Sequence, residues 1–284
     1  RVLFRSSFLI PGVTFYVMGN ESGISTTIAT VQSNMTLGAG AEIVVDTPSV
    51  LGIANGVTLI NNGTVTVRGT TTTGATLLLD GTGTLTGTTV SYGSALARVE
   101  YSGSGTMRSS SPVEFPVLMS ATVVVDENVT VGLDGNKTLQ SALVLGGLMD
   151  IRGRSLTLQG RLDLRGAFIA DGVSDMLIGM NGALSEPISG ALRIATNVLR
   201  NFTLDRLGAV VPLGSPLLIQ NGLSLARGVL RSDTTNYPII VNTSYSAVQG
   251  GNDSSFVEGP LERYFPVNIL GGGSGSWLFP MGRG

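Results

Sequence analysis

Short runs of alternating apolar and polar residues fill most of the chain. They are VTLI (57–60), TVTVRG (64–69), ATLLLDG (75–81), ATVVVD (121–126), SLTLQG (155–160), RLDLRG (161–166) and PLLIQNG (216–222). Alternation with a period of two is typical of a β-strand that buries one face. No long stretch without Gly or Pro shows a convincing helical period. The pattern therefore predicts an all-β fold.

Each run ends at a turn signal, and Asn or Asp followed by Gly recurs along the chain. These dipeptides are Asn55-Gly56, Asn62-Gly63, Asp80-Gly81, Asp134-Gly135, Asp171-Gly172, Asn181-Gly182 and Asn221-Gly222. Asn, Asp and Gly tolerate a positive φ and suit tight corners. We therefore predict strands of three to six residues that end at these corners.

The spacing of the strands indicates how they are arranged. Apolar strand ends fall at Leu145, Ile151, Leu158 and Leu164, which are 6, 7 and 6 residues apart. Three such strands make a coil of about 20 residues, as in parallel solenoids, whereas strands of a hairpin sandwich are more often about 8 to 12 residues apart. The prediction is an all-β, right-handed parallel β-helix (a β-solenoid), with β-sandwich modules as the alternative.

Aromatic residues are concentrated at the two ends of the chain. Four lie within positions 1–16 and five within positions 256–284, whereas only seven lie at all the positions between. Because a thin coil has little room for rings, we predict an N-terminal apolar segment (1–18) that caps the solenoid or pairs with another subunit, the solenoid itself (19–255), and an aromatic C-terminal cap or junction (256–284). The residues predicted to act in capping or assembly are Phe8, Phe15, Tyr16, Phe256, Tyr264, Phe265, Trp277 and Phe279.

Charge and composition narrow the possible chemistry. The net charge is -2, and one lysine, Lys137, accompanies 16 scattered arginines, so nothing favours nucleic acid or an anionic membrane as a partner. The chain has no Cys and no His, which removes disulfides and the commonest general base and metal ligand. It also lacks an apolar run long enough to insert into a bilayer. We predict no cofactor and no metal site, and we expect the sequence to be a segment of a longer protein.

An enzymatic function is the main alternative. A β-helix that cleaves acidic polysaccharides needs clustered carboxylates for calcium and a basic residue on one face. Asp126, Glu127 and Asp134, with Lys137 nearby, are the densest acidic group, and they are more simply explained as corner residues. We therefore predict no enzyme activity, and a carbohydrate-binding or carbohydrate-cleaving, lyase-like β-helix remains the alternative function.

The first third of the chain is nearly uncharged and rich in Thr. Residues 6–97 carry five charges, at Glu21, Glu42, Asp46, Arg68 and Asp80. A surface with so few charges is poorly protected against association, and open coil ends present unpaired strand edges. We predict self-association through this Thr-rich face and the coil ends, with another copy or another part of the same protein. The alternative is a face that is glycosylated or simply hydrated around its Thr side chains. Surface glycans are a further candidate partner.

The second half of the chain contains strand–Gly repeats followed by two short motifs. Strand–Gly repeats (LVLGGLMDIRGRSLTLQGRLDL, 143–164, and NFTLDRLGAVVPLGSPLLIQNGLSLARGVLRSD, 201–233) precede SSFVEGPLERYF (254–265) and WLFPMGRG (277–284). From about Leu139 to Gly284 the chain resembles the cell-surface and secreted repeat proteins of the Bacteroidetes type, exported by the type IX secretion system and including gliding-adhesin-like chains. Met281 stands where that family usually has Val. The resemblance implies an extracellular β-solenoid module of a bacterial adhesin or filament, and it implies no catalytic residues.

Overall fold

A computed structural model of the chain describes residues 2–4, 12–18, 26–69, 74–180, 186–266 and 276–282. The chain is all-β, and its parallel sheets form a β-solenoid of about 11 turns. The predicted parallel solenoid is therefore confirmed, and the alternative of β-sandwich modules is not what the chain adopts. The chain divides into two compact units, Arg1–Asp134 with Leu139–Leu148 and Gly135–Thr138 with Met149–Gly284.

The strands up to Leu145 are two to five residues long, as the short alternating runs predict. They are β1 (Val2–Phe4), β2 (Thr14–Val17), β3 (Ile28–Val31), β4 (Met35–Leu37), β5 (Glu42–Val45), β6 (Val50–Ile53), β7 (Thr58–Asn61), β8 (Thr64–Val67), β9 (Thr76–Asp80), β10 (Thr84–Gly87), β11 (Ser91–Tyr92), β12 (Arg98–Ser102), β13 (Met107–Ser109), β14 (Leu118–Met119), β15 (Thr122–Val125), β16 (Thr130–Gly132), β17 (Lys137–Leu139) and β18 (Leu143–Leu145). In β9, for example, Leu77 and Leu79 point into the core while Thr76 is half-buried, so the period-two pattern corresponds to one inward and one outward face.

The first unit is built from coils of three strands, such as β3, β4 and β5, followed by β6, β7 and β8. One sheet contains β1, β3, β6, β9, β12, β15 and β18 in that order. A second contains β4, β7 and β10, a third contains β2, β5, β8 and β11, and β13 pairs with β16. Each strand therefore pairs with the equivalent strand of the next coil rather than with its neighbour along the chain.

Equivalent side chains stack inside the first unit. The inward partners along the first sheet, each one coil further along the chain, are Ala29, Leu51, Leu77, Val99, Val123 and Leu143. All six are buried. Burying a Val or Leu side chain contributes about 1.5–3 kcal/mol, so a similar apolar contribution recurs from coil to coil.

Two of the glycines that the sequence predicts at corners are found there. Gly56 and Gly81 both have a positive φ, of 72° and 53°. The side chain of Asn55 accepts a hydrogen bond from the amide of Thr82 on the next coil, at 2.9 Å. The Asn-Gly and Asp-Gly signals at these two positions therefore mark real corners.

The second unit contains both short and long strands. They are β19 (Leu148–Asp150), β20 (Ser155–Leu158), β21 (Leu162–Leu164), β22 (Ala167–Ile169), β23 (Asp175–Ile178), β24 (Ile188–Gly190), β25 (Val198–Pro212), β26 (Leu217–Arg231), β27 (Pro238–Ile240), β28 (Val248–Gly250), β29 (Ser255–Glu258), β30 (Glu262–Arg263) and β31 (Met281–Gly282), and a 3₁₀ turn spans Tyr245–Ala247. Its largest sheet contains β20, β23, β25, β26, β27 and β30 in that order; β28 and β29 also pair with β26. The predicted strand ends Leu145, Ile151, Leu158 and Leu164 are all buried.

The two longest strands differ from the prediction. β25 and β26 are 15 residues each, whereas the sequence predicts strands of three to six residues. Each of these strands continues past the point where a corner would end a short strand. Register shifts near Asp205 and positive φ values at Gly208 and Gly228 let the backbone bend there while it remains paired in the sheet. The prediction of short strands is wrong here, and both long strands contribute residues to the candidate site.

Candidate functional site

A groove of about 540 Å³ lies on the outward face of the large sheet of the second unit. Its floor and walls come from β20, β23, β25 and β26 and from the segment between Asn242 and Gln249. A volume of this size is within the usual range of ligand sites, about 300–1,000 Å³. The groove is therefore large enough for a small molecule or part of a polymer.

One row of outward side chains runs along the groove, across the strands. The row consists of Thr157, Leu177, Thr203, Ser224 and Gln249, each the register partner of the next. The hydroxyl groups of Thr157, Thr203 and Ser224 have no hydrogen-bond partner among the described residues. A hydroxyl can donate one hydrogen bond and accept two, so this row presents unused donors and acceptors to whatever occupies the groove.

A second row is a ladder of side-chain amides that ends on a carboxylate. Asn242 Nδ2 donates to the carbonyl oxygen of Asn221 (2.9 Å), Asn221 Nδ2 to Asn201 Oδ1 (2.8 Å), and Asn201 Nδ2 to Asp175 Oδ1 (2.8 Å). The Arg200 guanidinium also donates to Asp175 through Nε, at 2.9 Å, and through Nη2. The hydrogen bond from Arg200 is the largest cause that lowers the pKa of Asp175 from its ordinary value. Asp175 is therefore held ionised and already paired.

A glycine makes room in the row of the amides. Gly222 is the register partner of Asn201 and lies within β26. Its φ is not in the positive range, and a Cβ added there would lie 3.1 Å from Asn201 Oδ1. A side chain at this position would occupy the groove, so the missing side chain of Gly222 keeps it open.

Aromatic rings, exposed or half-buried, lie beside one end of the groove. Phe265, Trp277 and Phe279 form a ring cluster in which the Phe265 centroid is 5.7 Å from that of Trp277 and 5.9 Å from that of Phe279. Trp277 Nε1 donates to the carbonyl oxygen of Thr243 at 3.3 Å, and Thr243 directly follows Asn242 of the groove. Tyr245, the next residue but one, is 65% exposed.

Arg263 anchors the ring cluster to the end of the groove. Its Nη1 donates to the carbonyl oxygen of Leu278 (2.9 Å), and its Nη2 donates to those of Ser244 (2.6 Å) and Tyr245 (3.1 Å). The side chain is buried, and burial lowers the pKa of Arg263. Replacing lost hydration with three carbonyl contacts is how a buried guanidinium is accommodated, and it joins the C-terminal segment to the groove.

The first unit has a second groove, of about 670 Å³. It is lined by Thr26, Ile28, Thr30, Gln32, Gly52, Ile53, Ala54, Asn55, Leu78 and Asp80. Ile28 and Leu78 make its walls more apolar than those of the first groove, and it has no amide ladder among the described residues. It is the less specific of the two surfaces.

The first unit also contains a buried polar cluster. Glu114 Oε1 lies 3.8 Å from Arg108 Nη2 and accepts a hydrogen bond from the Ser111 amide at 2.8 Å. The Arg108 guanidinium lies 4.9 Å from the ring centre of Tyr101, and Tyr92 donates to the Glu114 carbonyl oxygen at 2.6 Å. Burial raises the pKa of Glu114, although Ser111 and Arg108 act in the opposite direction. Because Arg108 and Glu114 are almost inaccessible to solvent, the cluster is part of the core rather than a reaction site.

The predicted capping residues lie in different environments. Phe8 lies outside the described residues. Phe15 is half-buried and Tyr16 is 60% exposed, both in β2, which pairs with β5. Phe256 is buried in β29, while the structure brings Phe265, Trp277 and Phe279 together as the exposed or half-buried ring cluster, and Tyr264 is exposed beside Phe265.

The acidic group considered for an enzyme lies at separate corners. Asp126 and Glu127 follow β15, whereas Asp134 follows β16 and accepts a hydrogen bond from Ser110 at 2.6 Å. Lys137 is buried. In the described ranges no three His, Cys, Asp or Glu residues are grouped so as to hold a metal ion.

The groove was not predicted from the sequence. Asn221-Gly222 is predicted to form a turn, but both residues lie inside β26, so that prediction is wrong. The available signal was the recurrence of Asn at Asn201, Asn221 and Asn242, each about one coil after the last. Equal spacing of one polar residue type in a solenoid places the side chains in a ladder.

Any assignment of function to this chain depends on its fold and its groove, because comparisons with known proteins found no match. No protein-family model, curated protein or solved structure matches the chain. Within the part of the chain that the structure describes, we find no helix with the length and apolar character needed to cross a membrane.

Proposed function

We propose that the chain is a structural and adhesive module of an extracellular bacterial surface protein. The observation that carries the proposal is the groove of the second unit, in which hydroxyl groups without a partner among the described residues face outward from the sheet. A site built on strands is held more precisely than one built on loops. Such a surface suits reversible attachment to a hydrogen-bonding partner.

Self-association through the first unit belongs to the same proposal. Its described residues between 26 and 97 carry four charges, at Glu42, Asp46, Arg68 and Asp80. Large apolar side chains such as Ile28 and Ile60 are also exposed there. Few charges and exposed apolar side chains both favour contact between copies.

The surface location is tested on intact producing cells. Antibodies raised against the purified chain should label these cells without permeabilisation, and external protease should remove the signal. Beads coated with the chain should attach to cells or to extracellular material, whereas beads coated with heat-unfolded chain should not. Labelling that requires permeabilisation would contradict the location, and equal attachment of both bead types would contradict the adhesive role. Light scattering of the purified chain tests self-association, because a monomer at high concentration is incompatible with it.

A further inference from the structure

We propose that the groove of the second unit binds an uncharged linear glycan that lies across the strands, with its rings following the row from Thr157 to Gln249. This inference rests on the adhesive function proposed above and specifies the chemistry of the ligand. Three features carry it: the spacing of the free hydroxyl groups, the neutrality of the lining, and the aromatic rings at one end.

The hydroxyl row matches the chemistry of a sugar chain. Thr157, Thr203 and Ser224 each have a hydroxyl group with no partner among the described residues. Sugar hydroxyls both donate and accept, as do these side chains. The row crosses five strands from β20 to β28, which at about 4.8 Å per spacing is roughly 19 Å, long enough for several sugar rings. A linear glycan repeats its hydroxyl groups along its length, so it can use a repeated row of protein hydroxyls.

The lining favours an uncharged ligand. Among the described lining residues Asp175 is the single ionisable group, and its carboxylate already accepts hydrogen bonds from Arg200 and Asn201. A charged ligand would lose hydration without finding an unpaired charge of opposite sign, which is costly. Neutral amide and hydroxyl groups, by contrast, can replace the water lost from a neutral sugar.

Aromatic rings extend the surface at one end. Tyr245 is exposed and adjoins Ser246, which lines the groove. The ring cluster is fixed to the same segment through the Trp277–Thr243 hydrogen bond. An aromatic ring offers a large apolar face, and the C–H face of a sugar ring is the apolar part of a glycan. The groove therefore combines hydrogen-bonding positions with a stacking surface.

The same lining predicts binding without cleavage. Glycoside hydrolysis generally uses two carboxyl groups placed on either side of the bond, and Asp175 is the one carboxylate in the described lining. We therefore expect the bound glycan to be recovered intact.

The test uses the full chain and a defined set of probes. Linear neutral hexasaccharides of β-linked glucose, xylose and mannose are titrated calorimetrically, with an oligogalacturonide of equal length as the acidic comparison. At least one neutral probe should bind, more tightly than the acidic probe, and chromatography after incubation should show no shorter products. Failure of all the neutral probes at millimolar concentration, preference for the acidic probe, or shorter products from a bound neutral probe would each overturn the proposal.

Variants locate the site. Thr203→Val keeps the shape and strand propensity but removes one hydroxyl group, so it should weaken binding about three- to tenfold; Ser224→Ala should have an effect of similar size. Gly222→Val should abolish detectable binding because its side chain fills the groove. Thr86→Val removes an exposed, unpaired hydroxyl group from β10 of the first unit and is the matched control. Unchanged affinity in all three groove variants would overturn the assignment to this groove.

The two proposals can fail separately. Surface labelling and bead attachment do not depend on which ligand is bound. Loss of glycan binding with intact attachment would remove the glycan assignment alone, whereas absence from the cell surface would remove the proposed function. Circular dichroism of each variant confirms that it is folded before its affinity is interpreted.

Discussion

Arg108 and Glu114 are the residues at which the core of the first unit departs most from an apolar solenoid interior. Their side chains are only 5% and 1% exposed, and Arg108 Nε and Tyr101 Oη have no hydrogen-bond partner among the described residues. Removing two charges from water is expensive, and their attraction offsets that cost only when both remain. Each residue is therefore tolerated because of the other.

Removing one member of this pair should be strongly destabilising. Arg108→Met leaves the Glu114 carboxylate buried without its cation, which we expect to lower the free energy of unfolding by about 3–5 kcal/mol. Adding Glu114→Gln to this variant should recover much of the loss, since a neutral amide can keep a hydrogen bond with Ser111. Urea unfolding followed by circular dichroism measures both changes.

An exposed ion pair provides the control for that experiment. Arg152 lies over Asp150 at the surface, with Arg152 Nη2 2.6 Å from Asp150 Oδ2. Arg152→Met should lower the free energy of unfolding far less than Arg108→Met does, because exposed pairs contribute only about 0–1 kcal/mol. Equal effects of the buried and exposed substitutions would contradict the account of the cluster.

At the scale of the element, glycines set how closely one coil can approach the next. Gly190 ends β24 with a φ of 81°, and a Cβ added there would lie 2.1 Å from the carbonyl oxygen of Leu164 on the neighbouring strand. Gly153 has a similar φ of 69°, but a Cβ there would meet nothing within 4 Å. A comparison of substitutions at the two glycines therefore separates the cost of a left-handed backbone from the cost of a clash with the neighbouring strand.

Substitution at these two glycines should have unequal effects. Gly153→Ala is expected to cost about 1 kcal/mol, since it only forces Ala into the left-handed region. Gly190→Ala adds a clash with backbone and should cost about 2–4 kcal/mol. Denaturant unfolding followed by the fluorescence of Trp277, which lies in the same unit, compares them. A Gly153→Ala variant as unstable as Gly190→Ala would contradict the close contact at Leu164.

The short strands could be predicted from the sequence, whereas the groove of the second unit could not. Alternation identified β20 and β21, and Leu158 and Leu164 are buried as expected, because period two in a half-buried strand has a single physical origin. The groove was missed because Asn221-Gly222 has the local preference of a turn. Pairing with the neighbouring coils overrides that preference, and such long-range pairing is not visible in a dipeptide.

At the scale of the whole molecule, the pKa values of several acidic residues are shifted in opposite directions in the two units. In the second unit, hydrogen bonds from Arg152, Arg200 and Arg227 are the largest causes that lower the pKa of Asp150, Asp175 and Asp205. In the first unit, burial is the largest cause that raises the pKa of Glu100 and Glu114. The two units should therefore respond to acid in opposite directions.

The signs follow from linkage between protonation and folding. A carboxyl group with a lowered pKa contributes stability above its unfolded-state pKa, about 3.9 for Asp, and this stability is lost as the pH falls through the folded-state pKa. A carboxyl group with a raised pKa is favourable below its unfolded-state pKa, about 4.3 for Glu, and becomes unfavourable as the pH rises toward its folded-state pKa.

Acidification from pH 7 to below pH 4 should thus destabilise the second unit, while the first unit keeps or gains stability. Hydrogen exchange measured by mass spectrometry should show faster exchange in β23, β25 and β26 at low pH, while β12 keeps or gains protection. Charge-neutral variants at Asp175 and Asp205 should reduce the pH response of the second unit. Simultaneous loss of protection in both units, at the same pH, would contradict the division.

The lengths of the coils have a consequence for folding kinetics. Described register partners in neighbouring coils are always near in sequence, from the short separation of Val210 and Val229 to the long separation of Phe15 and Ile43. Divided by the length of the chain, these separations are about 0.07 to 0.10. Relative contact orders of this size are found in helical bundles, whereas those of β-sandwiches are higher. An all-β chain with such local pairing can add one coil at a time to a formed neighbour, without first closing a long loop. We therefore expect it to refold faster than β-sandwich proteins of similar size.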